Sequence, residues 1–255
     1  MIVLCVCVLI LFFVMILLSS TESFYYERSS QVPLQFKLMN EEPDNVRIHK
    51  PIEDIIPVVI CVNYDDFLAI TLESNRKMFK DYIVITSPED RITQELCKKY
   101  NVDCRIYQDF YKNAKFNKSG AIHWVQRDIH MKHPNKWILM LDSDIILPKD
   151  FPEWADPTFL DKDAIYGVAR KNYDTSTLFK KKIGNFADEL PGFGYFQLYF
   201  DKNMYYPPFS ESARECDEIF LKSFEKQYYI TLKRYVYHLG YTFTNHDGRV
   251  SIRWE

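Results

Sequence analysis

The chain has no excess of either charge: 32 Lys and Arg stand against 35 Asp and Glu, a net charge of -3. A nucleic-acid binder needs a basic surplus to offset phosphate, so that class is set aside. No Cys-x-x-Cys pair or other zinc spacing occurs among the six cysteines. No glycine-rich phosphate loop follows the first apolar segment of the body, which argues against nucleotidyl transfer. No internal repeat is visible. What is present is ordinary for a chain that buries a full core, with 47% hydrophobic and 26% charged residues. A length of 255 residues suits one large domain, or one domain with an extension. Aromatics reach 16%; a large core is the plain reading, and ring stacking on sugars the sharper one.

The N-terminal run Ile2–Leu18, "IVLCVCVLILFFVMILL", carries no charge and no polar residue besides Cys5 and Cys7. Seventeen residues of helix span about 25 Å, the short end of the ~17–25 residues that cross a bilayer. A cleaved signal peptide would begin with basic residues and end in a small-x-small site. No Lys or Arg precedes the run, and "LSSTES" matches such a site poorly. Residues 1–20 therefore read as a single-pass membrane anchor. Only Arg28 and Lys37 flank it closely, so the positive-inside rule leaves the side of the membrane open, with a lumenal Golgi- or ER-type orientation among the options. Residues 21–54 are polar, with scattered prolines and no sustained period, and read as a stem. Residues 55–255 are then the folded domain. Cys97 and Cys104 could pair as a disulfide, whereas Cys61 falls in a core strand, where a buried free thiol is common.

From Ile55 onward strands and helices alternate. "IIPVVICV" (Ile55–Val62) is a continuous apolar run, expected of a strand covered on both faces. A helix is predicted near Asp65–Phe79 and a strand at Tyr82–Thr86. A helix capped by Ser87, with Pro88 in its first turn, runs to about Tyr100. A strand at Asp103–Tyr107 precedes a helix at Lys118–Met131, which places Ala121, Trp124, Val125 and Ile129 on one face. The strand "WILML" follows. This β-α-β-α order predicts a right-handed α/β fold with a mostly parallel, Rossmann-like central sheet.

The stretch "KWILMLDSDIILPKD" then puts Asp142 and Asp144 where that fourth strand ends. Ligands of open α/β sheets bind outside the carboxyl ends of the strands. Period two sets both aspartates on one face, with Ser143 opposite. Two carboxylates this close repel unless a cation lies near them, and a hard divalent cation accepts their oxygens. The bland alternative is a pair of exposed aspartates at a turn.

"LDSD" after an apolar strand resembles the DxD motif of GT-A glycosyltransferases, which use a nucleotide-sugar and a divalent metal. "NYDDFLAITLESN", "FNKSGAI", "GFGYFQLYF", "CDEIF" and "YHLGYTFTNHDGR" follow the order seen in family-2-like members, the last carrying HLG and then N-x-x-G-R. The resemblance covers about Pro57 to Arg249. It implies a single GT-A domain behind the anchor, with Mn2+ (or Mg2+) as cofactor. The donor would be a UDP-sugar and the acceptor a hydroxyl of a glycan, protein or lipid, with no nucleic-acid partner.

The same resemblance implies that Asp144 binds the metal directly, that Asp142 meets the ribose or a metal-bound water, and that His238 is a third ligand. Imidazole beside carboxylates favours manganese over calcium. His246 stands where such members often carry an aromatic, so the choice between His238 and His246 stays open. Asp217 is the implied general base of an inverting transfer, with Glu218 as its substitute; the helix dipole alone would also favour acids there. Asn63, Asp65 and Asp90 fall where the nucleotide base and ribose are bound, and Lys118 and Arg249 where phosphate is. "GFGYFQLYF" would line the acceptor side. The expected activity is transfer of a hexose with inversion. The alternatives are a retaining transferase of the same fold and an inactive sugar-binding or scaffold protein.

Overall fold

The computed structural model describes residues 50–186, 193–240, 245–250 and 253–254. The apolar run at residues 2–18 and the stem to residue 49 lie outside them. No helix among the described residues is long and apolar enough to cross a membrane.

Three strand–helix units open the domain: β1 (Ile55–Ile60), α1 (Asp65–Asn75), β2 (Ile83–Thr86), α2 (Arg91–Lys99), β3 (Asp103–Ile106) and α3 (Lys118–Lys132). They lead into β4 (Trp137–Asp142). These strands lie in the order β3-β2-β1-β4 and all pair parallel, β1 with β4 in register from Ile55↔Trp137 to Ile60↔Asp142. Alternate residues of β4 feed two cores. Trp137, Leu139 and Leu141 pack on one side of the sheet, Ile138 and Met140 on the other. Each such buried aliphatic side chain contributes roughly 1.5–3 kcal/mol, so this sheet half is held from both faces.

The second half supplies the antiparallel pairings of the expected mostly parallel sheet. It contains β5 (Ile145–Ile146), α4 (Phe151–Trp154), β6 (Ile165–Tyr173), α5 (Ser176–Lys180), β7 (Asn185–Phe186), β8 (Phe196–Phe200), α6 (Cys216–Leu221) and β9 (Tyr229–Leu239). The sheet continues β4-β8-β6-β9-β5, with β7 beside β6. β8 is antiparallel to both β4 and β6, β9 is parallel to β6, and β5 is antiparallel to β9. The short β5 follows β4 after a two-residue turn yet pairs far across the sheet with Tyr237 and His238. That pairing carries the C-terminal strand back to the aspartates.

Several local expectations need correction. α2 is capped by Asp90, whose Oδ1 accepts from Thr93 N at 3.1 Å, and not by Ser87. Trp124 is largely exposed on α3, where Ala121, Val125 and Ile129 are buried. The acids of α6 precede Ile219, Phe220 and Phe224, which sequence alone would turn to the core; Phe220 and Phe224 enter it, and Ile219 is exposed. β4 ends at Asp142, and Ser143 and Asp144 form a turn, so strand periodicity does not govern Asp144. Cys97 and Cys104 are free thiols and form no disulfide, whereas Cys61 is the buried free thiol expected of its strand.

Candidate active site

A cleft of about 490 Å³ opens at the carboxyl end of β4. Asp142, Asp144, Lys118, Asp217, Glu218 and His238 all line it, as does His246. The sequence therefore names seven side chains that the fold gathers from β4, α3, α6, β9 and the C-terminal segment.

Lys118 stands at the first turn of α3, behind the cap Asn117, whose Oδ1 accepts from Gly120 N at 2.9 Å. A Cβ at Gly120 would come within 2.5 Å of the Asn117 amide and 2.6 Å of Tyr107 Oη, so the cap requires glycine there. From this position Lys118 Nζ donates to Asp142 Oδ1 at 3.2 Å and to Asp217 Oδ2 at 3.0 Å. It thus bridges two carboxylates, where the resemblance implied a phosphate contact. Burial opposes its charge, but Asp142 and Asp217 outweigh that and hold its pKa well above the ordinary lysine value. Asp142 is pushed up to about 6, chiefly by burial; Lys118 opposes the rise, and the charges of Asp144 and Asp217 add to it.

Asp217 lies in the first turn of α6, but its carboxylate does not cap that helix. Its Oδ1 lies 2.9 Å from the Tyr206 hydroxyl, which is also 2.6 Å from Gln197 Oε1 and can donate its one proton to either. Burial and the Asp217 charge raise the Tyr206 pKa, keeping it a donor. Gln197 Nε2 donates to the Asp217 carbonyl at 3.2 Å. Tyr206 and Gln197 were missed in the sequence. Gln197 had a signal, being the one polar residue of the buried strand "FQLYF". Glu218 faces the mouth of the cleft and pairs with Lys222 at 2.8 Å.

Asp144 Oδ2 lies 3.5 Å from His238 Nε2. Asp144 Oδ1 and His238 Nδ1 are buried and have no hydrogen-bond partner among the described residues. Buried polar atoms are ordinarily paired, so an orphaned carboxylate oxygen beside an imidazole suits a cation. Among the described residues no three His, Cys, Asp or Glu side chains are gathered closely enough to hold a metal alone. Two protein ligands nevertheless fit a cation of the manganese or magnesium type, which takes its remaining ligands from substrate phosphates and water.

The remaining predicted residues form a separate network beside the cleft. Asn63, at φ 63°, donates its backbone N–H to Asp90 Oδ2 at 2.7 Å. Asp90 also accepts from Thr93 Oγ1 at 2.7 Å. Asp65 is ion-paired with Arg253. Arg249 Nη2 donates to Asp66 Oδ2 at 2.8 Å, its other nitrogen Nη1 also reaches Asp66, and Nη1 donates to the Asn63 carbonyl at 2.8 Å. The two-pronged grip expected of Arg249 on phosphate is made on Asp66. Asp66 is held below its ordinary value; burial opposes this, and the hydrogen bonds from Arg249 and Trp254 N outweigh it.

No protein-family model matches the chain, and no curated protein matches it. Among solved structures it is similar to a mycobacterial protein at 12% identity, over 72% of this chain and 64% of that one, with a TM-score of 0.47. The chain thus spans less than two thirds of that protein's length. It is similar to glucosyl-3-phosphoglycerate synthase from Mycobacterium tuberculosis, in complex with Mn2+, UDP and glucosyl-3-phosphoglycerate. There the identity is 11%, over 73% of this chain and 70% of that one, with a TM-score of 0.47. It is also similar to 4-diphosphocytidyl-2C-methyl-D-erythritolsynthase from Anaerococcus prevotii, at 12% identity over 72% of this chain and 87% of that one, with a TM-score of 0.44. At TM-scores below 0.5 these likenesses carry no argument about what this chain does.

Proposed function

We propose that the chain is a metal-dependent glycosyltransferase of the GT-A type, moving a hexose from a nucleotide-sugar, a UDP-sugar in the first instance, to a hydroxyl acceptor with inversion. The acceptor is a hydroxyl of a glycan, protein or lipid, and the run at residues 2–18 anchors the enzyme in a membrane. The observation that carries the reading is the pairing of Asp144 with His238 at the end of β4, with carboxylate and imidazole atoms left unmet. Asp217 lines the same cleft and is contacted by Lys118 and Tyr206.

A divalent cation held by Asp144 and His238 would neutralise the charge that builds on the departing diphosphate. The chain's own residues do the rest. Lys118 ties Asp142 to Asp217 and keeps both carboxylates at set positions across the cleft. Tyr206 orients the plane of the Asp217 carboxylate. Each Asp217 oxygen accepts at most one hydrogen bond from the described residues and so retains a lone pair. An acceptor hydroxyl bonded to that lone pair gives up its proton to Asp217 as its oxygen attacks the anomeric carbon from the side opposite the diphosphate. Glu218 lies one residue on, tied to Lys222 at the rim, and is the weaker candidate.

The test is a panel of nucleotide-sugars incubated with the full chain and manganese, scored by release of nucleoside diphosphate. Release from one donor, abolished by chelation, is the expected result. No release from any donor would return the chain to the sugar-binding or scaffold class. A product that retains the donor's anomeric configuration would replace inversion by retention.

A further inference from the structure

One wall of the cleft contains a cation that no described residue neutralises. Arg170 of β6 lines the cleft and is half-buried, and its Nε is buried without a hydrogen-bond partner. It makes no hydrogen bond or ion pair with any described residue. Its guanidinium stacks on the Tyr195 ring, 4.6 Å from the centroid. Two other cations nearby are engaged, while Arg214, which also lines the cleft, is exposed to solvent. Lys118 lies between Asp142 and Asp217, and Arg249 is held by Asp66. Of the carboxylates that line the cleft, Asp142 and Asp217 are held by Lys118 and Glu218 by Lys222, while Asp144 faces His238 and forms no ion pair with Arg170.

An unpaired charge in a partly buried wall is unfavourable. A guanidinium offers five donors in a rigid plane, and its natural complement is a carboxylate or a phosphate. Two residues further along β6, and so on the same face, stands Asn172, which is buried and not itself among the residues that line the cleft. It is opposite His238 in the strand register, and its Oδ1 is also buried without a partner. An amide oxygen accepts a hydrogen bond from a hydroxyl. A cation and an acceptor side by side therefore match a molecule that carries an anionic group close to a hydroxyl.

We propose that Arg170, with Asn172 beside it, forms a subsite for the carboxylate or phosphate of a hydroxylated substrate, a sugar acid or a sugar phosphate. The inference rests on the reading of the cleft as a glycosyl-transfer site and specifies the charge of one substrate. The anion belongs either to the donor's sugar ring or to the acceptor. It is distinct from the donor's diphosphate, which Asp144 and His238 serve.

Thermal unfolding of the full chain tests the subsite without any transfer. Glucuronate and inorganic phosphate raise the unfolding temperature, because a ligand of the native state stabilises it, and neutral glucose does not. Arg170→Met keeps the apolar stem on Tyr195 and shifts the anion response to at least tenfold higher concentration. Arg170→Lys retains part of it, having charge but no fork. Without anion, Arg170→Met unfolds at or above the wild-type temperature. Equal anion responses in wild type and Arg170→Met overturn the proposal, as does a marked loss of stability in anion-free buffer. In transfer assays, a preference for UDP-glucuronate over UDP-glucose assigns the anion to the donor. A preference for an acidic or phosphorylated acceptor over a neutral one assigns it to the acceptor. Either preference vanishes in Arg170→Met. Weaker binding of UDP itself in that variant overturns the subsite, because the arginine then serves the diphosphate. If no nucleotide-sugar is turned over, the transferase reading fails, while an Arg170-dependent anion response still establishes the subsite.

Discussion

Two groups of acidic side chains stand at the carboxyl ends of adjacent strands, and the chain treats them in opposite ways. Beside β1, Asp65, Asp66 and Asp90 meet Arg253, Arg249 and the first turn of α2. Every one of these carboxylates has a partner within the chain. Beyond β4, Asp142 and Asp217 share a single lysine, and Asp144 keeps an oxygen that no described residue meets. Chemistry of one kind thus serves two ends. The first group closes the C-terminal segment onto the sheet. The second leaves one buried carboxylate oxygen without a partner among the described residues. Satisfied networks rigidify a fold, whereas unmet buried groups persist where function needs them.

The contrast predicts that substitutions on the two sides fail differently. The largest effect falls on the cleft. Asp217→Asn keeps its size but cannot take the acceptor proton, so kcat drops by ~10²–10⁴; UDP binding changes little, and the unfolding temperature falls because Lys118 is left with Asp142 alone. Near-normal transfer would remove Asp217 from the chemistry. On the other side, Arg249→Met leaves Asp66 buried and uncompensated, and unfolding in urea should register a loss of about 3–5 kcal/mol. A variant that stayed stable but lost UDP affinity would move Arg249 from the clamp to the phosphate site.

Asp66 makes the clamp sensitive to acid. Its carboxyl is held below its ordinary value of 3.8 in the fold. Its contribution is therefore complete above that value and is lost as pH falls through the lower, folded value. The stability gap between wild type and Asp66→Asn is widest at neutral pH and closes in strong acid. A gap that persisted at low pH would mean that charge is not its source. The smallest effect belongs to Asp90. Asp90→Ala removes the cap of α2 and the tie to Asn63. It should lower stability by ~0.5–2 kcal/mol, with the turnover of bound substrate unchanged.

The clamp and the cleft were not equally legible in the sequence. The parallel half could be read because β1, β2 and β4 are continuous apolar runs separated by helical segments. The other half could not. β5 has two residues, and its pairing with β9 joins segments far apart in the chain. The aspartates of β4 were visible as an interruption of an apolar strand, and Lys118, Asp217 and His238 through a resemblance of ordered motifs. What each touches was not visible. Lys118 and Arg249 both read as phosphate ligands, yet one bridges carboxylates and the other grips Asp66. A side chain's partner depends on where the chain returns, and local sequence does not record that. Arg170 left only a faint mark, a charge inside the strand "IYGVARKNY".

The account rests most heavily on Asp144 and His238 as the seat of a divalent cation. The most direct measurement is UDP binding by titration calorimetry, with and without manganese, in the wild type, Asp144→Ala, His238→Ala and His246→Ala. Manganese should tighten UDP binding in the wild type and in His246→Ala, and should no longer do so in Asp144→Ala and His238→Ala. Equal manganese-dependent tightening in Asp144→Ala and the wild type would contradict the account.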